Sequence, residues 1–189
     1  MIILMCVAVC ASAQEKSSSV SKAKKCSCGF SSITQGGLAA GESLPQGLVQ
    51  SISGIRYKEW FAGIGGAVDF YHFRTIPVFI DLRRYLTEKI TTPFIYVDGG
   101  VNLPWIMEHE KPSYSREDFK AGWYFDAGLG YRLALGGRHG ILLNVGYSEK
   151  NLNSRRWVTT SYCPVEPCPD SESFNYTFKR YVFKLGWQF

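Results

Sequence analysis

The end of the chain alternates with period two. Phe189, Trp187, Leu185, Phe183 and Tyr181 are apolar or aromatic, whereas Gln188, Gly186, Lys184 and Arg180 between them are polar or small, with Val182 the exception. Successive side chains on a β-strand point to opposite faces, so this pattern predicts a strand with one apolar and one polar face. Four further runs behave alike. Trp123, Phe125, Ala127, Leu129, Tyr131, Leu133 and Leu135 alternate against Tyr124, Asp126, Gly128, Gly130 and Arg132. Ile141, Leu143, Val145 and Tyr147 alternate against Asn144, Gly146 and Ser148; Val78, Ile80 and Leu82 against Phe79, Asp81 and Arg83; Ile95, Val97 and Val101 against Tyr96, Asp98 and Asn102. A soluble barrel hides its apolar face and shows Lys and Arg to water. Here the apolar stripe suits lipid and the polar face suits a lumen.

Turn signals between these runs predict eight strands, at 29–39, 47–57, 61–71, 76–86, 93–103, 120–135, 140–150 and 174–189. The first two alternate weakly, because Ser31, Ser32, Ser51 and Ser53 blur the two faces. The connections differ in length. Lys58-Glu59-Trp60 and Gly136-Gly137-Arg138-His139 are tight turns, whereas 104–119 and 151–173 are long. Outer-membrane barrels have short periplasmic turns, longer extracellular loops and, in bacterial single chains, an even strand count. The expected fold is therefore all-β, an eight-stranded antiparallel transmembrane up-and-down barrel. Both termini lie on its periplasmic side.

The N-terminus changes the picture of where the chain goes. Met1–Val9 is apolar and Ala11-Ser12-Ala13 supplies small residues at a peptidase site, so 1–13 reads as a signal peptide cleaved before Gln14. The short segment lacks a basic start, and Cys10 raises a lipoprotein reading that the bulky Val9 opposes. Residues 14–28 are rich in Ser and Lys and read as a flexible periplasmic leader, leaving 29–189 as the barrel domain. No later segment has the ~18 consecutive apolar residues of a membrane helix, but a barrel strand needs only about 9–11 residues. The formal charge of +5 is spread along the chain, so nucleic acid is not implied as a partner.

On the tracts RYKEWFAGIGGAVDFYHFRTIPVFIDLRRYL (56–86), PFIYVDGGVNLPW (93–105) and GWYFDAGLGYRL (122–133), the Ala13-Gln14 site and the terminal aromatic alternation, the chain resembles the outer-membrane β-barrel family abundant in Bacteroidetes. The resemblance implies an OmpX- or OmpA-like integral barrel in the outer membrane of a Gram-negative bacterium, without a separate periplasmic domain, and little about activity. The stripe Phe189, Trp187, Leu185, Phe183 and Tyr181 is similar to the assembly signal of outer-membrane proteins, which implies the barrel assembly machinery as a partner. Outer-membrane lipid and lipopolysaccharide are the expected surroundings.

Inward positions collect Asp69, Asp81, Asp98 and Asp126 against Arg56, Arg83, Arg132, Arg180 and Lys184. An ion path or an acid pair is one reading. The other is a filled lumen, since eight strands enclose a space just wide enough for side chains and buried charges must pair. Tyr85, Tyr96 and Tyr124 are expected to join that network. Trp60, Tyr85, Trp105, Tyr147, Trp157 and Trp187 are candidates for interfacial girdles, so Tyr85 carries both readings.

Four cysteines follow the signal segment. Cys163 and Cys168 enclose four residues bent by prolines, and export favours a disulfide between them. Cys26 and Cys28 are too close for an unstrained bridge. No phosphate loop or metal-ligand spacing is present, and no cofactor is expected.

Two functions remain open. One is a structural or surface-binding barrel with no open pore, whose long loops contact an extracellular partner. The other is a small outer-membrane enzyme acting on lipid or peptide. The enzyme would need a His beside a Ser or acid near the outer leaflet, and only His72 near Asp69 and His109 near Glu108 and Glu110 are on that side. A lipocalin-like carrier, suggested by Gly122-Trp123-Tyr124, is opposed by the position of that motif in the sixth strand.

Overall fold

A computed structural model of the chain describes residues 28–42, 44–87, 89, 91–105, 116–136, 139–157 and 171–189. The signal segment, the leader with Cys26, His109 and the Cys163 and Cys168 pair lie outside the described residues. The strands are β1 (Cys28–Gly41), β2 (Gln46–Tyr57), β3 (Trp60–Asp69), β4 (Thr75–Tyr85), β5 (Thr92–Pro104), β6 (Arg116–Lys120), β7 (Gly122–Gly136), β8 (His139–Trp157) and β9 (Ser171–Gln188).

Each strand pairs antiparallel with its neighbours, and β9 pairs with both β8 and β1. The sheet thus closes on itself and leaves the spanning region without the unpaired edge that lipid would penalise. β6 and β7 form one barrel strand. Both pair with β8, Lys120 opposite Asn153 and Tyr124 opposite Lys150. One extra residue therefore sits on the β6–β7 side, as in a β-bulge. Gly122 stands at this break, where a Cβ would collide with the Asn151 backbone. The barrel is eight-stranded, as the alternation predicts.

Pairing is staggered as closure requires. A row of opposed residues leaves β1 at Ser31 and passes Gly54, Gly63, Asp81, Asp98, Asp126, Ser148 and Arg180. It returns to β1 at Gly41.

The outward face is apolar round most of the wall. Ile64, Ile80, Val97, Leu129, Val145 and Leu185 are all exposed, at positions where water would be a poor solvent and acyl chains a good one. On β9 this face changes above Tyr181, where Lys179, Thr177, Asn175 and Ser173 are exposed instead. Glu149 stands opposite Lys179, and its carboxylate accepts a hydrogen bond from the Tyr147 hydroxyl at 3.2 Å. This marks the outer edge of the belt.

The strands run further than the periodicity predicts at this outer end. β8 continues to Trp157 and β9 begins at Ser171, so both ends of the expected loop 151–173 are strand; β6 adds 116–119. These residues stand above the belt, where no lipid selects an apolar face, so the alternation that betrays the other strands is missing. Backbone pairing from Asn151 opposite Thr177 to Trp157 opposite Ser171 holds them.

The interior departs from the expected polar lumen in one sector. Ile33, Leu48 and Ile52 point inward and are buried, while Thr34, Ser51 and Ser53 are exposed on the outside. Polarity is thus exchanged at these positions, while Gln35 and Gln50 stay inside and Leu38, Val49 and Ile55 outside, which is why the faces blur in the sequence. Ile33 and Ile52 pack with Phe61, Phe79, Phe94 and Leu142. Val182, the exception in the terminal stripe, faces in against Ala39, Leu48 and Tyr71. Room for the rings comes from cross-strand glycines. Phe79 lies opposite Gly65, Phe94 opposite Gly130 and Tyr96 opposite Gly128. A Cβ at Gly65 would stand 2.6 Å from the Phe79 ring.

Candidate functional site

The most developed side-chain chemistry lies inside the barrel. Asp81, Asp98 and Asp126 sit on adjacent strands in one paired row and have no exposed surface. Period two places Arg83 next to Asp81 on the same face, and its guanidinium grips the Asp81 carboxylate through Nε at 2.9 Å and Nη2 at 2.7 Å. Arg83 also lies over the rings of Phe61, Phe94 and Tyr96. Lys184 of β9 reaches across to Asp126 at 2.8 Å, with Asp98 3.9 Å away. Hydroxyls of Tyr96 and Tyr124 donate to Asp126 at 3.0 and 3.2 Å. Burying a charge is costly unless it is paired and hydrogen-bonded, and each of these cations has a carboxylate.

A second cluster lies nearer the outer end. Arg180 pairs with Asp69 and contacts the Ser148 hydroxyl at 3.1 Å. Lys150 stands 3.5 Å from Asp69 and donates to the carbonyls of Tyr71 and Phe73 at 2.7 and 3.0 Å. At the inner end, Gln188 ties four strands together: it accepts from Arg132 Nε at 2.7 Å, donates to Ser31 at 2.9 Å, and contacts the Tyr85 hydroxyl.

Eight of the nine charges expected in the lumen, Asp69, Asp81, Asp98, Asp126, Arg83, Arg132, Arg180 and Lys184, are buried there. Tyr85, Tyr96 and Tyr124 join them. Tyr85 therefore faces inward and is no girdle residue, whereas Trp60, Trp105 and Trp187 are exposed on the outer face. Arg56 is only half-buried, at the inner mouth. Lys150 is the charge that sequence reading missed, although it shares the parity of Asn144 and Ser148. Its strand was expected to end there, so its side chain was not counted as inward.

The outer mouth is covered by rings. The β3–β4 connection folds over the barrel with His72 in a left-handed conformation, φ 61°. Phe73 packs against Phe119, Tyr176 and Phe178, and Tyr176 stacks on Phe178. The imidazole of His72 lies against Phe73 and Phe178, while Asp69 is committed to Arg180, Lys150 and the Tyr71 amide. The expected His72–Asp69 neighbourhood thus yields no catalytic dyad. His139 packs on Trp187 at the inner end.

The terminal stripe Tyr181, Phe183, Leu185, Trp187 and Phe189 is exposed along the outer wall. Phe189 closes the seam by exchanging backbone hydrogen bonds with Ser32 at 2.8 and 2.9 Å.

Solved structures share this architecture. The chain is similar to the outer membrane protein OprG of Pseudomonas aeruginosa, with TM-score 0.50 and 11% identity over 85% of this chain and 91% of that one. It is similar to the outer membrane protein AlkL, with TM-score 0.51 and 13% identity over 93% and 95%. Neisserial surface protein A gives TM-score 0.52 and 10% identity over 85% and 97%. The fold is that of a small outer-membrane barrel. No family model and no curated protein matches the sequence, so the likeness to a Bacteroidetes family rests on the sequence tracts alone.

Proposed function

We propose that the protein is a closed, non-conducting barrel of a Gram-negative outer membrane that acts as a surface-binding scaffold through its outer end. The observation that carries this reading is the contrast between a lumen filled by paired charges and rings and a sheet, β6, β8 and β9, that continues above the lipid belt. A filled lumen offers solutes no path, whereas a raised sheet offers area and hydrogen-bonding side chains to a partner outside the cell. No reaction is assigned, since His72 is packed between rings away from a free acid. A Cys163–Cys168 disulfide would stiffen the tip of the β8–β9 hairpin, and peptide mapping without reduction tests it.

Assembly belongs to the same reading. The aromatic stripe ending in Phe189 would be read by the barrel assembly machinery, and the belt would then be surrounded by phospholipid and lipopolysaccharide. The test is capture of surface partners from intact cells by the purified barrel, beside a variant whose 158–170 segment is replaced by a short turn. Partners captured by the full chain and lost by the shortened one support the scaffold role. Identical capture by both would refute it.

A further inference from the structure

The sheet raised above the belt carries a groove on its outward face. Register puts Lys120 of β6 opposite Asn153 of β8, and Asn153 opposite Asn175 of β9. Arg155 lies two residues further out on the same face, opposite Ser173. Period two places all five on the side of the wall that Tyr147 and Tyr181 occupy lower down, so they face away from the lumen. Lys120, Arg155, Ser173 and Asn175 are exposed and Asn153 is half-buried. They line a groove of about 360 Å³, within the range of small-ligand clefts, about 300–1,000 Å³.

Its cations are uncommitted. The ion pairs of the described residues take Arg83, Arg180, Lys150 and Lys184 to carboxylates inside the barrel, and neither Lys120 nor Arg155 enters one. Asp118 stands opposite Arg155 in register, whereas Lys120 has the neutral Asn153 opposite it. Amides complete the set. The Asn151 amide donates to Oδ1 of Asn175 and, at 3.1 Å, to the Thr177 hydroxyl. That fixes the Asn175 side chain and leaves its Nδ2 to donate elsewhere. Guanidinium and ammonium groups suit phosphate oxygens, and amides and hydroxyls suit the hydroxyls of a sugar.

Height decides the occupant. The belt ends at the ring pair Tyr147 and Tyr181, 6.0 Å apart. Asn175 lies six residues beyond Tyr181 on the same strand. At ~3.3 Å per residue and a tilt of ~45°, that is about 14 Å above the belt. A phospholipid headgroup layer reaches only about 5–8 Å past the hydrocarbon, too low to fill the groove. The sugar layer of lipopolysaccharide stands higher. Resting on the reading of the outer end as a binding surface, we propose that this groove seats the phosphorylated sugar head group of lipopolysaccharide from the barrel's own outer leaflet. Lys120 and Arg155 would hold phosphate, and Asn153, Ser173 and Asn175 sugar hydroxyls.

The experiment uses the full barrel in lauryldimethylamine oxide micelles, which carry neither phosphate nor sugar. Lipopolysaccharide trimmed to lipid A and inner core is titrated in at constant ionic strength, and the backbone amide NMR signals of β6, β8 and β9 are followed. Saturable shifts centred on 118–120, 153–155 and 173–175 are expected. Affinity should fall about tenfold in Lys120→Gln and in Arg155→Gln, the size of one lost charge-assisted hydrogen bond. Both side chains are exposed above the belt, so both variants should fold. Phosphatidylglycerol and dephosphorylated lipopolysaccharide, titrated alike, should bind more weakly. Absence of saturable shifts, unchanged affinity in either variant, or equal affinity for either control lipid overturns the site. Surface-partner capture is run with the same variants. Capture that persists where lipopolysaccharide does not bind overturns this occupant alone and leaves the scaffold reading standing.

Discussion

Two walls of one barrel solve burial in different ways, one with charges inside and one without. On the side of β4, β5, β7 and β9, the interior holds Asp81, Arg83, Asp98, Asp126 and Lys184, and the exterior holds Ile80, Val97, Phe125 and Leu185. On the side of β1 and β2, the interior holds Ile33, Leu48 and Ile52 beside the uncharged Gln35 and Gln50, and the exterior mixes Thr34, Ser51 and Ser53 with Leu38, Val49 and Ile55. Lipid tolerates a hydroxyl on a wall whose backbone is fully paired, and the lumen tolerates an isoleucine beside Phe79. An ion pair, by contrast, tolerates no loss of its partner. Specificity of closure therefore sits in the charged wall, while the β1–β2 wall supplies filler.

The largest effect should come from breaking the charged wall. Lys184→Ala leaves Asp98 and Asp126 without their cation and should cost about 3–5 kcal/mol, the usual result of stranding a buried charge. Urea unfolding in lipid vesicles measures it, and a loss below that of Ile52→Val would contradict the contrast drawn here. Next, Gly65→Val should drive a side chain into Phe79 and cost about 1–3 kcal/mol by overpacking; the same assay, beside Gly99→Val on the open outer face, separates crowding from strand propensity. The smallest effect is expected outside the quiet wall. Ser51→Leu should leave the fold intact and stabilise it by about 1 kcal/mol in a bilayer through added apolar contact. A marked loss would mean that the Ser51 face meets something other than lipid.

Assembly sharpens the seam between the walls. Phe189→Ala should lower the amount of folded barrel recovered from outer membranes well below that of Lys179→Ala. Lys179 is the apt control because it stands above the belt. Gln188, adjacent in sequence, is unsuitable: it is buried and bonded to Arg132, Ser31 and Tyr85.

Much of this was legible in the sequence where lipid and lumen differ sharply. The alternation through Tyr181–Phe189, Trp123–Leu135, Val78–Arg83 and Ile95–Asn102 names these strands, their faces and the lumen charges Asp81, Arg83, Asp98, Asp126, Arg132 and Lys184. What was not legible has physical causes. Asn151–Trp157 carries no lipid stripe, so its strand pairing with β9 leaves no period-two mark. Partner choice inside the lumen, such as Lys184 with Asp126, depends on stagger round the barrel, which alternation along one strand does not encode. The packing of His72 between Phe73 and Phe178 depends on how the β3–β4 connection folds over the mouth.

The central claim is that paired charges and rings close the lumen. Purified monomer reconstituted in a planar bilayer tests it most directly. The account predicts no stable, porin-sized conductance at any applied voltage that the bilayer withstands, whereas a steady current of that size from the folded monomer would contradict it.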